Sequence, residues 1–329
     1  MINILINLFR VTSVIGSLFL VSLTSTFAQS NYPNRPVKLI APFPPGGTSD
    51  VLARILGQKL TESLGQPVTV ENRPGASGNI GHDLAAKSPP DGYTILLTNS
   101  STVVNNPFLY KQMPFDFYKD FTPISMVAIA GQVIVVNPNV PAKTIAELTA
   151  LAKSKPGELN FGSGGKGIQS HITGEMYKNA TGVDLVHIPY KGTGVAVTDL
   201  VAGQIQIVFS DMAPAMPFIK SGKIRALAVT SPQRIGVLPD VPTMMEAGFP
   251  NFEASVWWAI VAPKGVPQSV VNKINSDLSR IMVMPDVKDS FEKLGVSTSY
   301  SNPEKVFEQG RKESPIIGEI LKKAGIEKE

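Results

Sequence analysis

The run Pro42-Phe43-Pro44-Pro45-Gly46-Gly47-Thr48-Ser49-Asp50 decides how the rest of this chain is read. An apolar stretch from Val37 to Ala41 precedes it with the character of a short strand. Val51, Leu52, Ile55, Leu56 and Leu60 follow at helical spacing. The prolines stop the strand, and the glycines allow a tight turn and close approach of the backbone to a bound group. Thr48, Ser49 and Asp50 suit the cap and first turn of a helix that then runs from Val51 to Leu64. A helix start leaves backbone N–H groups unpaired, and with the helix dipole these attract anions. Taken alone, the stretch serves equally as an ordinary strand-to-helix turn or as an anion site.

Working outward, the same unit recurs. Val68 to Asn72 reads as a second strand, followed by the glycine-rich loop Arg73 to Gly81 and a helix to Lys87. Thr94 to Thr98 is a third strand, ending in the polar cluster Asn99 to Thr102. Asn105 to Phe121 is aromatic and Pro-containing, and is expected to be an irregular surface connection. The pattern restarts at the β-branched strand Gly131 to Val136. A strand at Leu159 to Phe161 then leads through Gly162-Ser163-Gly164-Gly165-Lys166-Gly167 into a helix from Ile168 to Asn179. Further strands are expected at Leu185 to Tyr190, Gln204 to Phe209 (followed by Ser210-Asp211) and Ile224 to Thr230. Glu253 to Ala262 begins a return segment. Strands and helices alternating about every 30 residues imply mostly parallel sheets flanked by helices, with a ligand crevice at the strands' carboxyl ends. One such block inserted into another, with crossings near residues 130 and 253, makes a two-lobed α/β clamshell. The expected domains are 29–129 plus 254–329, and 130–253.

The remaining 28 residues read as an address. Arg10 is the only charge before an apolar run from Val11 to Leu23, and Thr26-Phe27-Ala28 places small residues at the −3 and −1 positions of a cleavage site. The run is too short and too Ser/Thr-diluted for the ~20 apolar residues of a membrane span. A signal peptide cut after Ala28 and a soluble periplasmic protein are therefore expected. The chain has no Cys, so neither a lipid-anchored start nor disulfides are available. Its 43% hydrophobic and 17% charged residues describe an ordinary globular protein. The net charge of +4 is dispersed, with no basic run interleaved with aromatics, which argues against nucleic-acid binding.

Two strand–glycine loop–helix units stand out, Phe43 to Asp50 and Phe161 to His171, one in each block. Two helix starts facing one another across a cleft would form a pincer for a carboxylate. Gly162, Gly164 and Gly167 match the dinucleotide pattern G-x-G-x-x-G, but the strand that follows ends in Tyr190-Lys191 rather than an acid. Catalysis has little support: there is no Cys, no G-x-S-x-G elbow, and His82, His171 and His187 lack metal-ligand spacing. Asp50 and Asp211 are the carboxylate pair an exported α/β hydrolase or isomerase would use, and that rival stays open. Trp257 and Trp258 are read first as packing at the second crossing.

The ordered set Tyr32-Pro33, Arg35-Pro36-Val37, Pro42 to Asp50, Glu71 to Gly81, Pro90 to Thr94, Gly162 to Gly167 with His171, Pro189 to Gly192, and Trp257-Trp258 with Ala262 to Pro267 resembles the Bug family. These are the periplasmic substrate-binding proteins of tripartite tricarboxylate transporters. One departure is Ser210-Asp211, where members often place the acid directly after Phe. The resemblance covers essentially the whole chain after Ala28. It implies a fold that closes on a small carboxylate (a di- or tricarboxylate, amino acid or aromatic acid) and delivers it to a membrane permease made of other chains. No enzymatic activity, cofactor or metal is expected, and the protein is expected to be a monomer. The expected ligand-binding residues are Phe43, Gly46, Gly47, Thr48, Ser49, Asp50, Gly78, Ser163, Gly167, His171, Tyr190 and Asp211.

Overall fold

A computed structural model describes residues 32–328; the signal segment expected at residues 1–28 lies outside them. The chain divides into a unit ending at Asn34 and a unit from Arg35 to Glu329, and both sheets and the cleft between them lie within the second.

In chain order the strands are β1 (Val37–Ala41), β2 (Val68–Asn72), β3 (Thr94–Asn99), β4 (Phe121–Gly131), β5 (Val133–Val136), β6 (Asn160–Ser163), β7 (Val186–Pro189), β8 (Ile207–Ser210), β9 (Arg225–Val229), β10 (Ser255–Pro263) and β11 (Ser297–Thr298). The helices are α1 (Thr48–Leu64), α2 (Asn79–Ala86), α3 (Asn106–Leu109), α4 (Phe117–Asp120), α5 (Ile145–Ser154), α6 (Gln169–Thr181), α7 (Thr193–Val201), α8 (Met212–Lys220), α9 (Gln268–Ile281), α10 (Pro285–Lys293) and α11 (Pro303–Lys323). Among the described residues, no helix is long and apolar enough to cross a membrane.

The strands form two sheets, ordered β11-β4-β10-β3-β1-β2 and β7-β6-β8-β5-β9. β1 pairs in parallel with β2 and β3, and β6 in parallel with β7 and β8. Buried Val37, Leu39, Ile40 and Ala41 show why β1 is an almost unbroken apolar run: helices cover both faces of the sheet. The sheets are mixed, however, not mostly parallel. β10 is antiparallel to β3 and β4, β11 to β4, and β5 to β8 and β9. The crossings supply the physical reason. A strand entering a lobe from the crossing must run away from the cleft, against the strands that run toward it; β5 does this in one sheet and β10 in the other.

Gln132 links β4 to β5, and the chain returns between Val229 and Ser255. Buried Thr230 joins the two passages. Its hydroxyl accepts from the Gln132 N–H at 2.7 Å and donates to the Ala254 carbonyl at 2.5 Å. Its N–H donates to the Gln132 carbonyl at 2.8 Å, and its carbonyl accepts from the Ala254 N–H at 3.2 Å.

Two local expectations are corrected. Helix α1 begins at Thr48, not Val51, because extended Gly47 takes the cap position and leaves Thr48, Ser49 and Asp50 as the first turn. The segment from Asn105 to Phe121 is not a surface connection. It holds α3 and α4, and Phe115, Phe117 and Phe121 are buried, with Phe115 stacked on His82 at 5.0 Å.

Candidate functional site

The two glycine loops meet at a cavity of about 410 Å³. From the first sheet come Phe43, Gly47, Thr48, Ser49, Ser77, Asn99, Ser101, Val256 and Trp258, and from the second Gly167, Ile168, Gln169, Ser170, Gly192, Asp211 and Met212. Contacts across the cleft border it. The Gly295 backbone lies so close to Met212 that a Cβ there would meet Met212 Cγ at 2.0 Å, and one at Gly167 would meet Leu109 Cδ2 at 2.5 Å. Both positions also have positive φ, so glycine is required on two counts.

Main-chain groups at the two helix starts supply donors to the site, beside the hydroxyl and amide side chains of the lining. In the first loop, the Gly46 N–H donates to Asp50 Oδ2 at 2.9 Å, and the Asp50 and Val51 N–H groups donate to the Gly47 carbonyl. The N–H groups of Gly47, Thr48 and Ser49 have no acceptor among the described residues. In the second loop, Gly164 donates to Ser170 Oγ at 3.0 Å, Gly165 to Ser163 Oγ at 3.2 Å and Gly167 to His171 Nδ1 at 2.8 Å. The N–H groups of Ile168, Gln169 and Ser170, at the cap and start of α6, are left without an acceptor among the described residues. Three unpartnered donors from each lobe therefore line one cavity, each set at the positive end of a helix.

Of the residues expected to bind ligand, Phe43, Gly47, Thr48, Ser49, Gly167 and Asp211 line this cavity; Gly46, Asp50, Gly78, Ser163, His171 and Tyr190 do not. The second group holds the loops in place. Burial by itself would raise the Asp50 carboxyl, but Arg54, the Gly46 N–H and Asn72 together keep it below its ordinary value. Its Oδ1 lies 2.9 Å from both the Arg54 guanidinium and Asn72 Nδ2, so no oxygen is spare. Gly78 packs under Phe43, where a Cβ would meet Thr102 Oγ1 at 2.6 Å. Ser163 is buried at the end of β6, bonded to His187 Nε2 at 2.6 Å and to the Gly165 carbonyl at 2.9 Å. His171 stacks on His187 at 3.7 Å between ring centroids. Burial and that neighbour hold His171 down to about 3, and burial holds His187 down to about 4, so both rings are neutral supports for the loop. Tyr190 packs beneath Gly162 among the apolar residues of the second sheet. Burial and the Asp199 carboxylate push its phenol up to about 12.

Residue reading missed Ser77, Ser101, Ile168, Gln169, Ser170 and, as a cavity residue, Trp258. Ile168 to Ser170 were within reach, because the donors of a helix start sit in its first turn, not in the glycine run before it. Trp258 required the fold: its Nε1–H donates to Ser49 Oγ at 2.8 Å over a separation of 209 residues. Asp211, the only ionisable side chain of the lining among the described residues, has its Oδ1 3.1 Å from Gln132 Nε2. Burial raises its carboxyl, with the Gln132 hydrogen bond pulling the other way. No group of three or more His, Cys, Asp or Glu able to hold a metal occurs among the described residues.

Two sheets joined by paired crossings, with a donor-lined cavity between them, define a two-lobed solute-binding protein of the periplasmic type. The periplasmic binding protein BugD superimposes with a TM-score of 0.77 at 37% identity, covering 91% of this chain and 100% of that one. A structure of an R. palustris protein with adipate matches at 0.82 and 32% identity, covering 91% and 100%. Protein BugT of Bordetella pertussis is 37% identical over 325 residues, 98% of each chain. Residues 52–326 match the model of the tripartite tricarboxylate transporter family receptor, and the chain belongs to that family.

Proposed function

We propose that the chain is a periplasmic receptor that captures a small carboxylate in the cleft, leaves it chemically unchanged, and delivers it to the membrane permease of a tripartite tricarboxylate transporter. The observation that carries this reading is the pair of helix starts, α1 and α6, whose unpartnered N–H groups line one cavity. A carboxylate there accepts bonds from both lobes. Each such charge-assisted bond contributes roughly 1.5–3 kcal/mol. Four or five, with apolar burial, reach the approximately −8 kcal/mol of a micromolar complex. Because the donors belong to different lobes, only the closed state gathers them all, and the ligand favours closure by that difference. The adipate-bound relative supports a carboxylate as the ligand class.

In this reading the leader is removed after Ala28, and lobe 29–129 plus 254–329 closes as a monomer on lobe 130–253, without cofactor or metal. Phe43, Gly47, Thr48, Ser49, Gly167 and Asp211 touch the ligand, joined by Ser77, Gln169, Ser170 and Trp258. The enzyme alternative needs Asp50 beside Asp211 as a working pair, and Asp50 is already committed to Arg54, Asn72 and Gly46. The test is thermal unfolding with hexanoate, adipate and malate, each beside its methyl ester. At least one acid raises the melting temperature and its ester does not. Equal shifts for acid and ester, or none with any acid, overturn the reading.

A further inference from the structure

The cavity is not uniform along its length, and strand order fixes its direction. β1 and β6 lead into the two donor loops. In the first sheet, β3, β10, β4 and β11 follow β1 in that order, each about 4.8 Å further along. Val256 lies on β10, Ala130 and Gly131 end β4, and Leu294 and Val296 precede β11; all line the cavity. In the second sheet β8 lies next to β6, and Asp211 follows β8, capping α8 ahead of Met212. The site therefore passes from main-chain donors, with the polar side chains of Ser77, Asn99, Ser101 and Gln169 beside them, to an apolar wall at the other end, with one carboxylate side chain partway along. No Lys or Arg lines the cavity among the described residues, and no cation pairs with Asp211. The side chain is also fixed: Gln132, whose own N–H is bonded to Thr230 at the crossing, donates to its Oδ1.

We propose that the site selects a monocarboxylate with an apolar body whose other end donates a hydrogen bond to Asp211 through a hydroxyl or an ammonium group. It thereby discriminates against dicarboxylates and tricarboxylates of the same size. This rests on the carboxylate-clamp reading of the same cavity. A second carboxylate would meet Asp211 with no cation between them, and the apolar wall offers it no donor, so the ligand's two ends are recognised by opposite chemistry. A hydroxyl or ammonium meets an acceptor that is already positioned. Ionised Asp211, enclosed in the cleft without a cation, repels a second carboxylate, whereas a hydroxyl or ammonium donor is the partner it accepts.

Isothermal titration of the purified protein with two matched series tests this. One series is hexanoate, 6-hydroxyhexanoate, 6-aminohexanoate and adipate. The other is benzoate, 4-hydroxybenzoate, 4-(aminomethyl)benzoate and benzene-1,4-dicarboxylate. In at least one series a donor-tailed acid binds about tenfold or more tightly than its dicarboxylate, and the hydroxyl and amino members show which donor the site prefers. Asp211→Asn, which keeps an oxygen for Gln132, reduces that ratio by about tenfold. The inference falls if dicarboxylates bind as tightly as the donor-tailed acids in wild-type protein, or if Asp211→Asn folds normally and leaves the ratio unchanged; the clamp then still stands. If no member of either series binds, the clamp itself falls.

Discussion

Thr48→Pro isolates a single main-chain donor. Thr48 is the first residue of α1, and its N–H has no acceptor among the described residues. Proline at this position costs the helix none of its own hydrogen bonds and has a suitable φ. The preceding residue must be extended, and Gly47 is, at φ −80° and ψ 166°. Fold stability should therefore change by no more than about 0.5 kcal/mol. What is lost is one unpaired N–H of a residue that lines the cavity. A hydrogen bond to a charged group contributes about 1.5–3 kcal/mol, and at about 1.4 kcal/mol per decade the dissociation constant rises roughly ten- to a hundredfold. The same reasoning applies to Gln169→Pro on the opposite lobe, because Ile168 at its cap is extended too, at φ −77° and ψ 167°. Isothermal titration with the tightest-binding carboxylate, beside urea unfolding, reads both quantities. Thr48→Val, which keeps the N–H and removes only the hydroxyl, separates side chain from main chain. A Thr48→Pro protein of normal stability that binds within about twofold of wild type would refute the claim that this N–H holds the ligand.

Other consequences follow from packing and titration. Gly174→Ala should destabilise the second lobe by about 1–3 kcal/mol in chemical unfolding, because a Cβ there meets the Phe161 ring at 2.3 Å and that ring is locked against His187 and Phe209; unchanged stability would contradict the packing described. Burial pushes His82, bonded to the Gly78 carbonyl and Thr98, down to about 4. The unfolded chain takes up this proton near pH 6.5 and the folded chain only near 4. Stability is thus complete above about 6.5 and falls toward pH 4 by up to about 1.4 kcal/mol per pH unit from this residue, and unfolding curves flat from pH 7 to 4.5 would oppose it. Thr230→Val leaves the Gln132 N–H without its acceptor and the Ala254 carbonyl without a donor. It should cost about 1–3 kcal/mol in stability and, by loosening both crossings at once, change ligand affinity as well; a variant with wild-type stability would remove Thr230 from the hinge.

Much of this arrangement was legible in residue order. β1 reads directly from its apolar run, and the repeated strand–glycine loop–helix unit exposes both halves of the site, because anion capture by main-chain groups leaves its mark as glycine and small polar residues at a helix start. Strand direction was less legible. β5 and β10 are as β-branched and apolar as β1, and only the path of the chain through two lobes turns them antiparallel. Side-chain roles were the least legible. Asp50 and His171 stand where ligand-binding residues would stand, yet one is consumed by Arg54, Asn72 and Gly46, and the other by Gly167 and His187. Spacing in sequence cannot reveal which partner takes a polar group first. The Trp258–Ser49 bond joins the return strand to the first loop, and nothing local in either segment predicts it.

The most direct test of the central claim is a crystal structure with a carboxylate that binds in solution. The account predicts one carboxylate group lying between the starts of α1 and α6, with its oxygens about 3 Å from main-chain nitrogens among residues 47–49 of one lobe and 168–170 of the other. A carboxylate held by one lobe alone, or by side chains with both sets of N–H groups still unpartnered, would contradict it.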